Sequence, residues 1–483
     1  MNQKKAPLVA AMKAYAAGGA VAFHTPAHKR GRGAHELLKN LITDEGLNEE
    51  VSLMYALDDP FHPTGCIMEA EALAADLYGA DSAYFMANGT TEAIHVMMLA
   101  SLNDGDEVIL PRNAHRSIFA GLALTGAVPF YIEPVYDERM GVAMGVTPDC
   151  VKEAIENHPN AKAVILVYPT YYGVAYDLAG ISKIVHEHGM ILLVDEAHGA
   201  HLRFSDDLPA DAILSGADLV AVSTHKLIGS LTQTSMLFRN GNRVTDDRIR
   251  RAQGLVASSS PNYLLLASLD IARLQMAADG NRMVGRAVRL SNESREAIND
   301  IEGLWCFGEQ DIGYDGANSL DACKLTVNVT KTGHTGTGAE RILRSEYHFE
   351  AELCDAYNVL FIISFADDEE IIKKLIDGLR DFSSRFRKKK AITETDVREL
   401  PRSEICLTPR EAYFARSELI DFEKSVGRIA AEEITFYPPG IPVIYPGERI
   451  TNEIKEYAAM MRRAGLKLTG TINPKLDSIR VVK

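Results

Sequence analysis

Ile191-Leu192-Leu193-Val194-Asp195-Glu196-Ala197-His198-Gly199-Ala200-His201 is the stretch on which the fold turns. Four apolar residues without a polar interruption read as a strand buried on both faces, and the carboxylate that follows marks its end. The runs Ala83–Met86, Glu107–Leu110, Pro129–Ile132, Ala163–Val167, Leu219–Val222 and Met236–Phe238 have the same texture. Helix-like segments such as Thr91–Leu102 and Leu178–His188 lie between them. Strand–helix alternation with Val/Ile/Leu-rich strands predicts an α/β domain on a mostly parallel sheet. Ligands of such sheets bind just outside the carboxyl ends of the strands, so the chemistry is sought there.

A chain of 483 residues is too long for one hydrophobic core; at about 100–200 residues per domain, two or three domains are expected. The start, with Lys13 breaking its apolar run, reads as an amphipathic helix ended by Gly18 and Gly19 rather than a signal peptide. No stretch reaches the roughly 18 apolar residues of a membrane span. After about residue 300 a smaller α+β texture runs to about 380. The basic run Arg385-Phe386-Arg387-Lys388-Lys389-Lys390 reads as a solvated helix end leading to the polar stretch Thr393–Val397. Tyr437-Pro438-Pro439-Gly440-Ile441-Pro442 cannot continue a helix and reads as a structured loop.

With 51 Lys+Arg against 66 Asp+Glu, the formal charge is −15. That excess argues against a nucleic-acid partner, which needs clustered cations, and weakly favours a cationic ligand. The six cysteines are scattered without a CxxC, so neither a disulfide framework nor a zinc ribbon is expected, and a reducing cytoplasm fits.

Four features stand at strand ends. Asn88-Gly89-Thr90-Thr91 opens a helix, where Gly89, two hydroxyls and free helix N–H groups make an anion site. Arg112-Asn113-Ala114-His115-Arg116-Ser117 offers His115 as a stacking ring or an acid–base group. Asp195-Glu196-Ala197-His198 has a rival reading as a helicase acidic motif. That motif requires an upstream phosphate loop ending in Gly-Lys, and the chain has no Gly-Lys pair. A metal site on His198 and His201 lacks further ligands, so no metal is expected. Ser223-Thr224-His225-Lys226 places a lysine at a strand end, where burial would favour the nucleophilic amine of a Schiff base. An anion cup, a His, a strand-end Asp and a Lys 31 residues later together describe a pyridoxal 5'-phosphate site.

These residues are similar to the Orn/Lys/Arg decarboxylase family, the fold-type-I pyridoxal-phosphate decarboxylases. The likeness includes Phe23-His24-Thr25-Pro26-Ala27-His28-Lys29, Tyr168-Pro169-Thr170-Tyr171-Tyr172-Gly173, Ser258-Ser259-Ser260-Pro261 and Pro446-Gly447-Glu448, besides the strings above. The family usually has Gly where this chain has Ala27. The resemblance implies an aminotransferase-like α/β major domain with a mostly parallel seven-stranded sheet and smaller α+β C-terminal domains. The expected divisions are an N-terminal arm over 1–50, a cofactor domain over 51–300, and C-terminal parts over 301–385 and 386–483.

By the same resemblance Lys226 bonds the cofactor aldehyde, Asp195 faces the pyridine nitrogen, His115 stacks on the ring and His198 lies beside it. Thr90, Thr91, Ser223 and His225 hold the phosphate, Ser259 reaches the phosphate of a neighbouring subunit, and Glu448 meets the substrate's cationic tip. The implied reaction is decarboxylation of a basic amino acid, arginine to agmatine for polyamine synthesis. Lysine or ornithine, or an aminotransferase or other lyase reaction on the same fold, are the alternatives. A cytoplasmic homodimer or larger homo-oligomer with shared active sites is expected, with no nucleic-acid or membrane partner. The likeness points to a shorter, biosynthetic-type branch without the extra N-terminal domain of the larger acid-inducible relatives.

Overall fold

The computed structural model describes residues 1–388, 400–437, 441–463 and 465–483. The expected strands form as β1 (Ser82–Met86), β2 (Glu107–Pro111), β3 (Val128–Ile132), β4 (Ala163–Val167), β5 (Ile191–Asp195), β6 (Leu219–Val222) and β7 (Ser235–Arg239). They make a seven-stranded sheet in the order β1-β7-β6-β5-β4-β2-β3. The pairs β5/β6, β2/β3 and β2/β4 are parallel, whereas β7 runs antiparallel to β1 and β6. Residues 223–234, which join β6 to β7, carry only the one-turn helix Thr224–Leu227. A parallel return needs a longer crossover, so the strand comes back antiparallel. All of β5 is buried. Burying each aliphatic side chain there contributes about 1.5–3 kcal/mol, which suits an unbroken apolar run to an interior strand.

The chain divides into two compact units, the first made of Met1–Ser101, Ile191–Ser205 and Ala210–Met283. Within it, α1 (Pro7–Ala17) ends at Gly18, where the glycine pair predicted a stop. Helix α2 (Gly89–Ser101) packs on β6 and β7. It buries Ala93, Ile94, Val96, Met97 and Met98 together with Thr90 and Glu92. A helix apolar on most of its circumference belongs inside a domain rather than on its surface.

The second unit comprises Leu102–Met190, Asp206–Pro209 and Val284–Lys483. It holds β2, β3 and β4, and the expected α+β region. There β8 (Trp305–Cys306), β9 (Lys324–Asn328), β10 (Leu353–Cys354) and β11 (Asn358–Ile362) form an antiparallel sheet in the order β8-β9-β11-β10. Helices Gly336–Tyr347 and Glu369–Phe386 contribute Leu343, Leu379 and Phe382 to its core. The basic run begins as expected at a helix end: Arg385 pairs with Asp381 at 3.0 Å and Arg387 with Glu302. Lys389, Lys390, the stretch Thr393–Val397 and Pro438-Pro439-Gly440 of the expected loop lie outside the described residues. No helix among the described residues is long and apolar enough to cross a membrane.

Candidate functional site

Strands β5 and β6 are parallel with Asp195 opposite Ala221. Their carboxyl ends therefore stop at one sheet edge, and the loops that leave them meet. Asp195 ends β5, and the loop after it carries Glu196, His198 and His201, all buried. Asp195 is 3 % exposed, and its Oδ1 accepts the Ala197 N–H at 3.1 Å. Burial pushes its carboxyl up to about 6, with the Lys226 cation pulling the other way. The second acid of the string does different work: Glu196 turns back to accept the Ala212 N–H at 2.8 Å. A β-carbon at Gly199 would stand 2.4 Å from the Glu196 Cγ, so glycine is needed for this loop to close. From the second loop, Lys226 reaches the first: its Nζ lies 2.9 Å from the His198 Nε2.

The residues expected to cup an anion, Gly89, Thr90, Ser223 and His225, lie in the same unit. Gly89 follows β1 with φ +79°, a conformation glycine adopts without strain, and the space where a β-carbon would sit is open. The Thr90 hydroxyl bonds those of Ser223 and Ser235, and Ser235 donates to the Val222 carbonyl at 2.7 Å. The His225 Nδ1 lies 2.7 Å from the Thr234 carbonyl, which can only accept, so that nitrogen carries the proton. Thr224, to which the sequence reading assigned no role, is buried and its hydroxyl has no partner among the described residues. The signal was its place between Ser223 and His225. Thr91 is exposed, and Ser259 stands on an exposed turn and makes none of these contacts.

His115 and Glu448 belong to the second unit. His115 caps the N-terminus of α3 (Arg116–Thr125) with its ring, and its Nδ1 is 2.8 Å from the Ser117 hydroxyl. Glu448, expected to meet the substrate's cationic tip, is held from several sides. It is 2 % exposed, and its Oε2 takes the Arg112 Nη2 at 3.0 Å and the Tyr445 N–H at 2.9 Å. Arg112 also donates to the carbonyls of Pro442 and Val443 and lies over the Phe119 and Tyr131 rings. The geometry thus lets Glu448, through Arg112, fasten the strand Ile441–Ile444 to the end of β2. The sequence offered no sign of this pairing, because its partners are 336 residues apart.

Arg112→Leu would leave the Glu448 carboxylate buried without its cation. The expected loss is about 3–5 kcal/mol of stability, seen as a lower urea midpoint. Adding Glu448→Gln is expected to recover part of it. A double variant no more stable than Arg112→Leu would show that the pair is not the cause.

Residues 6–371 match the family described as Orn/Lys/Arg decarboxylase, major domain, and residues 391–473 match its C-terminal domain. Arginine decarboxylase of Bacillus subtilis (strain 168) is 38% identical over 486 aligned positions, which cover 100% of this chain and 99% of that protein. The constitutive lysine decarboxylase of Escherichia coli (strain K12) is 23% identical, over 92% of this chain and 76% of that protein. Among solved structures, lysine decarboxylase A from Pseudomonas aeruginosa matches with a TM-score of 0.85 at 22% identity, over 99% of this chain and 80% of that one. That last likeness is one of fold.

Proposed function

The chain belongs to the Orn/Lys/Arg decarboxylase family, and from that membership we propose that it converts L-arginine to agmatine and carbon dioxide with pyridoxal 5'-phosphate, feeding polyamine synthesis. Arginine is preferred to lysine because four relatives called arginine decarboxylase are 37–38% identical over 95–100% of the chain. The lysine decarboxylases of Escherichia coli are at 23%.

The observation that carries the chemical reading is Asp195, a buried carboxylate that forms no ion pair among the described residues. Such a group is costly until a cation meets it, and a protonated pyridine nitrogen is a fitting one. The open space at Gly89, the N-terminus of α2 and the unpartnered Thr224 hydroxyl suit a phosphate. Thr90, Thr91, Ser223 and His225 are its further candidate holders. When bound, the cofactor supplies an electron sink for the bond at the substrate's Cα.

The chain's own residues do the rest. Asp195 holds the proton on the ring nitrogen. Lys226 presents its amine, and the His198 Nε2 beside it receives or returns the Nζ proton. After the carboxylate leaves, Lys226 or His198 delivers a proton to Cα. His198 is buried and Lys226 is half-buried. We assign His115 to the ring face and Ser259 to the phosphate of a neighbouring subunit. The reading includes a homodimer or larger assembly in the cytoplasm. Phe23, 92 % exposed, and the exposed Tyr55 and Leu41 leave the N-terminal region short of apolar cover, which suits a second copy. An active monomer in sedimentation would count against the shared site.

The test is carbon dioxide release from arginine, lysine and ornithine, each supplied to the same enzyme at equal concentration. Arginine is expected to turn over at least about tenfold faster, worth roughly 1.4 kcal/mol of discrimination. A preference for lysine or ornithine would overturn the substrate assignment.

A further inference from the structure

The second unit encloses a cavity of about 250 Å³ whose lining includes Tyr136, Tyr172, Tyr176, Tyr457, Phe436 and Asp355. None of Thr90, Asp195, His198, Ser223, His225 or Lys226 lines it. At roughly 30 Å³ per water, that is room for about eight, the bulk of a compact organic molecule of about ten heavy atoms.

Its charges are unevenly matched. Arg112 is neutralised by Glu448, and Arg402 stands at 3.6 Å from Glu133. Asp355 forms no ion pair among the described residues. Its Oδ2 accepts the Tyr172 hydroxyl at 2.7 Å, and its Oδ1 the N–H groups of Tyr357 and Asn358. The Tyr457 hydroxyl has no hydrogen-bond partner among the described residues, yet the Asp355 charge acts on it. Burial and then Asp355 push the Tyr172 phenol well up, with Tyr136 and Tyr457 adding to the shift. The Asn358 side-chain amide also donates to both Asp355 oxygens, at 3.2 and 3.0 Å, so the carboxylate is hydrogen-bonded yet has no cation. Several aromatic rings beside a carboxylate that lacks a cation are the means by which proteins hold organic cations: the rings attract the charge and the carboxylate neutralises it.

We propose that this cavity is a binding site for a compact ammonium or guanidinium compound that lacks a carboxylate. The cation lies against the Tyr136, Tyr172 and Tyr457 rings with Asp355 as its counter-charge. Amines of this kind are the products of decarboxylating basic amino acids, so the site lets the enzyme sense what its family makes. The ligand chemistry is read from the cavity and holds whichever amino acid is the substrate.

Equilibrium dialysis of the holoenzyme with labelled tetramethylammonium tests it. That cation has no N–H and cannot bond to the cofactor aldehyde. Saturable binding of one equivalent per chain is expected, with agmatine as a competitor. Tyr457→Leu, which removes one ring, should weaken it at least threefold, and Asp355→Asn at least tenfold. Because Asp355 also ties the turn before β11, Met461→Trp serves as a second variant: Met461 lines the cavity, and the larger ring fills it. It should abolish binding while circular dichroism stays unchanged. Absence of saturable binding, or binding that survives Asp355→Asn and Met461→Trp, overturns the site. Displacement by arginine as strong as by agmatine overturns its restriction to amines without a carboxylate. The readout is binding rather than turnover, so these failures are separate from a wrong substrate assignment.

Discussion

Lys226→Ala is expected to lower decarboxylation by on the order of 10⁴-fold or more, as removal of a bond-forming residue does in other enzymes. The reason is local. Lys226 stands on the one-turn helix that follows β6, and its Nζ is 2.9 Å from the His198 Nε2. A neighbouring lysine cannot replace it without rebuilding the Thr224–Leu227 turn. Alanine is a good helix former, so the turn itself should persist. The variant should therefore keep its urea midpoint while it loses both turnover and the absorbance of the cofactor–protein bond. Turnover near that of the wild type would remove Lys226 from the reaction, and with it the proposed assignment of the site.

Asp195→Asn is expected to act in two opposite directions. The rate should fall by about 10²–10³-fold, the usual loss when one buried electrostatic partner is removed. The cofactor-free protein should become more stable at alkaline pH. Burial raises the Asp195 carboxyl from its ordinary 3.8 to about 6, so the folded state favours the protonated form. That preference is fully present below the unfolded value and is lost as pH rises through the folded one. Above it, keeping the carboxylate buried costs about 2–3 kcal/mol, and asparagine does not bear that cost. Urea unfolding of the two cofactor-free proteins at pH 5 and pH 8 should show the variant's advantage growing with pH. An advantage independent of pH would mean that Asp195 does not titrate in this range. Bound cofactor should erase the advantage, because it gives the carboxylate a cation.

The strands were legible to within about a residue at each end. Ala163–Val167 and Leu219–Val222 match their expected limits, and β5 gains only Asp195. Interior strands are apolar on both faces, so their limits coincide with the first polar residue. The direction of β7 was not legible, because an apolar run carries no sign of which way its strand points. The site divides in the same way. Asp195 ends β5, His198 lies three residues beyond it and Lys226 four beyond β6, and parallel strands bring such positions to one edge. Apart from its place between Ser223 and His225, nothing in the sequence singled out Thr224; its burial without a partner among the described residues marks it out. The pairing of Glu448 with Arg112 was not legible, because no local pattern links residues so far apart in the chain.

By itself, the sequence determined the strand–helix alternation, the family, and the residue types at the strand ends. All of these depend on periodicity or on short contiguous strings, which local chain geometry translates directly into structure. Only the tertiary structure decided which charges meet. Arg112 finds Glu448, Lys226 finds His198, and Asp195 and Asp355 are left without an ion pair among the described residues. The free energy of a buried charge depends on what lies within a few ångströms of it, and at that distance separation along the chain has no bearing.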